Sequence, residues 1–212
     1  MELYLDDTPV TQAVSATGTL EETLRHVQQR LCRDGRLVVG LRCDGVPVPA
    51  GQMATTLREP TARFRRLDIA TSTRGALVSE AMGQADGALE KTSADCGRIA
   101  EMLIAGRTAE AVESLRECLG LWQQIHETLG RSLEMLELDP QNLTIQNLPF
   151  LELIARPKVV LLQVKQALLA QDYVLLADLL RYEFEDVMTG WQSTIRRFQQ
   201  EADEWTANHP AI

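Results

Sequence analysis

Val78, Met82, Ala85, Leu89, Thr92, Cys96, Ile99 and Leu103 step by four and three along the chain. That period keeps one face of a helix turned toward a partner over many turns. Gly106-Arg107-Thr108 interrupts it, and Ala111, Leu115, Cys118, Trp122, Ile125, Leu129, Ser132 and Leu136 take it up again. Two such helices joined by a short turn predict an antiparallel hairpin. Asp139 to Pro157 breaks the period with Pro140, Pro149 and Pro157, which predicts a loop with one short helix near Phe150–Ile154. Lys158 to Ala170 is apolar almost all round and predicts a central, buried helix. Asp172 then caps a last long helix. Its stripe runs Leu176, Leu180, Phe184, Val187, Trp191, Ile195, Phe198, Ala202 and Trp205.

Before Arg74 the period changes from helical to alternating. Leu3 and Leu5 alternate with polar residues, Asp6-Asp7-Thr8-Pro9 marks a turn, and Val10 to Val14 returns as a second strand. Thr19 to Arg33 is the one clear helix here. Thr19 and Glu22 have the spacing of a capping box, and Leu20, Leu24, Val27 and Leu31 form one apolar face. Gly35 stands where a helix ends on positive φ. Leu37, Val39, Leu41 and Cys43 alternate into the Asp44-Gly45 turn. Val46 and Val48 predict a short strand, Gln52 to Leu57 a helical turn, and Leu67, Ile69 and Thr71 a last strand.

Charge divides at the same place. Residues 1–73 hold nine basic and nine acidic residues, and residues 74–212 hold 12 and 21, which is the whole net charge of −9. Two patterns and two charge balances predict two folding units, 1–73 and an acidic helical 74–212. No 18-residue apolar run exists to span a bilayer. The N-terminus has neither a basic segment nor an apolar core of the secretory kind, so a cytoplasmic location is expected. The acidic balance argues against nucleic acid as the main partner, because phosphates are neutralised by Lys and Arg. Arg63, Arg65 and Arg66 form the one basic cluster, which reads as a solvated strand edge.

The order strand, strand, helix, strand, short strand, short helix, strand resembles the ubiquitin-like β-grasp fold over about the first 73 residues. Members that conjugate or carry sulfur end in a free Gly-Gly tail. Here the last strand runs into Thr71-Ser72-Thr73-Arg74-Gly75 and then a helix, so that chemistry has no terminus to act on. The segment from Leu169 to Phe184, Leu-Ala-Gln-Asp-Tyr-Val-Leu-Leu-Ala-Asp-Leu-Leu-Arg-Tyr-Glu-Phe, is similar to one in uncharacterised bacterial proteins of like layout. That similarity implies a bacterial cytoplasmic protein and brings no activity with it. The expected class is α+β: a small β-grasp-like N-terminal domain followed by an antiparallel α-helical bundle.

Chemistry-bearing patterns are few. His26, His126 and His209 are scattered, and neither His26 nor His126 has the Glu-x-x-His spacing of a bundle metal site. No metal and no cofactor is expected. Cys32, Cys43, Cys96 and Cys118 lie far apart in sequence and mostly on apolar faces, as small core residues and without a disulfide. Gly83 and Gly87, four apart, fit a tight helix contact or plain local weakness equally well. No phosphate loop, dinucleotide fingerprint, nucleophile elbow or zinc-protease motif occurs.

The reading that follows is a non-catalytic protein-interaction or scaffold protein that self-associates as a homodimer through its helical half. It binds a protein partner, and neither nucleic acid nor membrane. Phe198 and Trp205 are expected to lie beyond the cover of a short neighbouring helix, with Trp191 on the same seam. Asp178 and Glu185, in the acidic cluster with Glu183 and Asp186, are the polar candidates for a partner. Two other classes stay open. One is an adaptor resembling flagellin chaperones, which are small, acidic and helical. The other is an enzyme with a pocket between the domains, using Asp178, Tyr182 and Glu185.

Overall fold

Alternating leucines beside a capped amphipathic helix build a sheet with one covered face. The computed structural model describes residues 1–10, 18–32, 35–145 and 148–208. The strands are β1 (Glu2–Leu5), β2 (Thr8–Pro9), β3 (Arg36–Cys43), β4 (Val46–Pro47) and β5 (Arg66–Thr73). They stand in the order β2-β1-β5-β3-β4. β1 and β5 run parallel, with Leu3 opposite Leu67 and Leu5 opposite Ile69, while the other pairings are antiparallel. The pleat turns Leu3, Leu67, Ile69, Leu41 and Cys43 to one face. There they bury with Leu20 and Leu24 of α1 (Leu20–Leu31) in a single cluster.

Local signals act where they were expected. Both halves of the Thr19/Glu22 capping box form, and Asp44 and Gly45 turn with φ of 51° and 81°. Gly35 has φ of 64°. α2 (Ala50–Leu57) replaces the single turn expected from Gln52. The return strand is Thr8–Pro9 instead of Val10–Val14, and residues 11–14 lie outside the described residues. β3 carries an irregularity between Val38 and Gly40, which no local pattern announced. β5 is the middle strand, so Arg66 does not guard an edge. Its guanidinium pairs with Asp68 at 2.5 Å and lies 3.9 Å over the Tyr4 ring.

The second part is helical: α3 (Arg74–Ile104), α4 (Thr108–Leu136), α5 (Phe150–Ala170), α6 (Tyr173–Asp178) and α7 (Phe184–Asn208). Every seam position named for α3 and α4 is buried, including Thr92 and Ser132, whose hydroxyls donate to the carbonyls of Ala88 and Thr128 one turn back. The two seams share one apolar core with α5, α6 and α7. The chain divides into two compact units, one built on Met1–Leu77 and the other Val78–Trp205, so the division falls in the first turns of α3. The protein is thus α+β, a mixed five-stranded sheet followed by a mostly helical part.

Two expectations for the helical part are corrected. The segment before Pro157 is no extended loop. β6 (Thr144–Ile145) and β7 (Leu148–Pro149) pair as a small hairpin, and α5 starts at Phe150 and runs straight through Pro157. Proline in a helix interior loses one hydrogen bond and is disfavoured by about 3 kcal/mol. Here its ring is buried in the core, and twenty other residues continue the helix around it. Nor is α5 buried all round, since Leu151, Val159, Leu162 and Leu169 are exposed.

The last helix was expected to be uniform and contains a π-helical turn, Leu179–Glu183, in which the Phe184 N–H reaches back to the Leu179 carbonyl. Leu176, Leu180 and Phe184 are all buried, at two successive steps of four. An α-helix of 3.6 residues per turn would rotate such a stripe off its face. The wider turn holds it in line.

Candidate functional site

The candidate site is the face of α5 that looks away from the core. Phe150, Leu153, Pro157, Val160, Val164 and Ala167 point inward, and these inward positions leave the opposite side of the helix free. That side carries leucines where a solvated helix would carry charge. Leu162 is 52% exposed, Val159 60% and Leu169 76%. Between α5 and α4 this surface sinks into a groove of about 630 Å³. Its α4 wall is Leu119, Trp122, Gln123 and His126. Its α5 wall includes Ile154, Lys158, Leu161, Leu162 and Lys165.

The floor is aromatic. Trp122 lies 5.4 Å from Trp191 between ring centroids, and the His126 ring stands 6.1 Å from Trp122 and 5.5 Å from Trp191. The indole N–H of Trp122 is buried with no acceptor among the described residues, and so is that of Trp191. A buried donor left unpaired costs about 1–3 kcal/mol. The rim is cationic. Lys158 and Lys165 are exposed, and neither forms an ion pair among the described residues. Arg156, on the neighbouring flank, faces Glu152 at 3.9 Å. This arrangement offers apolar contact flanked by unneutralised ammonium groups, and it holds no nucleophile activated by a base.

The residues singled out in the sequence fall elsewhere. Phe198 is fully buried against Phe150, ring centroids 5.7 Å apart, and Trp191 is buried behind Trp122 without lining the groove itself. The premise that α7 outruns its neighbour is therefore corrected, because α5 begins eight residues earlier than the pattern implied and covers it. Trp205 packs partly buried against the same core. Asp178, Tyr182 and Glu185 are exposed. Glu185 borders a separate hollow of about 200 Å³, with Ser93, Cys96, Arg181 and Phe184, and no hydrogen bond joins these polar groups.

The thiols of Cys96 and Cys118, far apart in sequence, meet across the seam at 3.6 Å. Their mutual hydrogen bond and then burial push the Cys96 thiol up, whereas that bond holds Cys118 down against its own burial. Among the described residues no cluster of three His, Cys, Asp or Glu side chains could hold a metal ion, and no helix is long and apolar enough to cross a membrane.

The groove was missed in the sequence, although a signal was present. Ile154, Lys158, Leu161 and Lys165 step by four, three and four on one side of α5, while Leu153, Val160 and Ala167 step by seven on the other. Two stripes on one helix make its sequence apolar almost all round.

Fold and site together define an α+β protein whose helical part carries an open apolar groove. The chain belongs to the DUF8042 family, a domain of unknown function, whose family model matches residues 80–194. The match spans most of α3, all of α4 to α6, and part of α7, and so contains every wall of the groove. No curated protein and no solved structure matches the chain.

Proposed function

We propose that this chain is a non-catalytic protein-interaction module whose helical part, an antiparallel bundle, presents the binding face. One observation carries the reading: α5 keeps Leu151, Val159, Leu162 and Leu169 in water on its outer side, next to an apolar groove. Isolated exposed apolar residues are ordinary, but four along one helix beside an apolar groove mark a contact surface. The N-terminal part is β-grasp-like on this reading. Its support is the strand order β2-β1-β5-β3-β4, with the parallel β1–β5 pair at the centre and α1 following the first hairpin. Its role is packing or binding, in a bacterial cytoplasmic protein.

Two kinds of partner can cover the α5 face, a second copy of the chain or a different protein. Self-association through Phe198 loses its support, because that ring is inside the core. The test is photo-cross-linking in the native host, with a benzophenone amino acid placed at Leu162 or Leu169 and, as control, at exposed Arg116. A cross-linked protein band from the first two positions and not from the third supports the reading. No protein adduct from either α5 position rejects it.

A further inference from the structure

We infer that the α4–α5 groove docks an amphipathic helix of a different protein, one carrying leucine-sized side chains on one face and Asp or Glu along its flanks. The inference rests on the interaction reading above and names the chemistry of the partner.

The shape comes from the stepping of the walls. Leu119, Trp122 and His126 step by three and four on α4, and Ile154, Lys158, Leu161 and Lys165 by four, three and four on α5. Two helices with such facing rows make the floor onto which a third helix packs ridge into groove. Ile154 to Lys165 spans about 16 Å at 1.5 Å per residue, room for about three turns of a partner. Apolar anchors at three- and four-residue spacing are what a groove of this kind reads.

The charge comes from the lysines. The chain holds three lysines, Lys91, Lys158 and Lys165, and 30 acidic residues. Two of the three stand on this rim, seven residues apart and on the same side of α5. Arginines nearby on the same helices are neutralised locally, Arg156 by Glu152, Arg131 by Glu127 and Arg116 by Glu113. The rim lysines have no such partner among the described residues. An acidic protein that keeps two unpaired ammonium groups beside exposed leucines is complementary to an anionic, apolar partner.

The same charges disfavour the two other occupants. A two-fold dimer through this groove brings the lysines of both copies together, four like charges around one apolar contact. A non-symmetric contact needs an apolar stripe with acidic flanks on the other copy. The seams of α3, α4 and α7 are already buried in their own core, and the exposed Val174, Leu175 and Tyr182 beside Asp178 and Glu185 are what the light-scattering arm below tests. An anionic lipid surface would meet the net −9 of the whole chain as well as the two lysines.

The experiment uses the full chain and labelled helical peptides of about 12 residues, read by fluorescence anisotropy. One peptide carries leucines at three- and four-residue spacing with Glu on both flanks. A second exchanges every Glu for Lys. The expected result is binding of the Glu peptide at least about tenfold tighter than the Lys peptide at low salt, weakening as salt rises. In the double variant Lys158→Glu with Lys165→Glu the preference should invert. In Leu162→Glu both peptides should be lost, each variant being checked for unchanged helical circular dichroism. Equal affinity for the two peptides, or a preference that survives the double charge reversal, overturns the proposal. So does binding to phosphatidylglycerol vesicles that the double variant abolishes, or a doubled light-scattering mass that it abolishes. Failure of both peptides alongside a positive cross-link at Leu162 rejects the acidic helix and leaves the interaction reading standing. Failure of both experiments removes the two together.

Discussion

Asp6 shows how one side chain can tie three strands' worth of sequence together. Its carboxylate accepts from the Thr71 amide at 2.7 Å, the Thr71 hydroxyl at 2.6 Å and the Arg36 guanidinium at 2.7 Å. Burial raises its pKa, but those hydrogen bonds and the Arg36 charge outweigh it, and the carboxyl lies below the usual range. Its stabilisation is present above the unfolded value of about 3.9 and is lost as pH falls through the lower folded value. Asp6→Asn keeps a side chain that tolerates the φ of 47° at this turn. The stability gap between the wild type and Asp6→Asn should be constant above about pH 5 and shrink below about pH 4, as urea melts at each pH will measure. A gap that widens on acidification contradicts the assigned partners. Phe198 makes the second test at this scale. Phe198→Ala should lower the unfolding free energy by about 3–5 kcal/mol, as core truncations do. If Phe198 served an interface instead, the variant would change mass in light scattering and leave the monomer's stability unchanged.

At the scale of elements, helix interiors carry weaknesses that the packing leaves in place. Gly83 and Gly87 on α3 are exposed, and a Cβ built at either meets nothing within 4 Å. The close helix approach that small residues permit is absent there, so the glycines only weaken α3. Gly83→Ala and Gly87→Ala should each stabilise by about 0.5–1 kcal/mol, read as a raised urea midpoint with unchanged slope. Destabilisation by either variant would place a neighbour against that face. Helix ends are less legible. α4 and α5 stop at Glu137 and Gln171, with φ of 57° and 55°, where glycine is the usual residue. The Leu138 amide bonds back to the Leu133 carbonyl at 3.0 Å and Asp172 to Ala167 at 2.9 Å. Those closing bonds hold a strained conformation that the residue type does not announce.

At the scale of the molecule the described residues form two apolar cores, one around Leu24, Leu41, Leu67 and Ile69, the other around the helical seams. Leu24→Ala should cost about 2–5 kcal/mol in the core it belongs to. Hydrogen exchange should then show lost protection in β1, β3 and β5 and unchanged protection in α4. Equal loss in both parts would mean that one cooperative unit spans the chain. For the free chain, light scattering across micromolar concentrations should give a mass near 23.6 kDa, because Phe198 and Trp191 lie in the core and Trp205 packs partly buried against it.

Wherever one side chain's neighbours lie on its own element, the sequence by itself determined the outcome. The seams of α3 and α4 followed from their four-and-three spacing, and every named position is buried. The Thr19 cap and the Asp44-Gly45 turn followed from contacts within four residues. Tertiary structure alone decided three things. It carried α5 through Pro157, because a buried ring can offset one missing hydrogen bond only when there is a core to bury it. It widened one turn at Leu179–Glu183, because two steps of four had to face a core already set by other helices. It placed Trp122, His126, Lys158 and Lys165 around one groove, because period shows that a residue lies on a face but not which helix that face will meet. The candidate site belongs to this last kind. Its residues stood in the sequence at regular spacing, but an apolar face reads the same whether a core or a partner covers it.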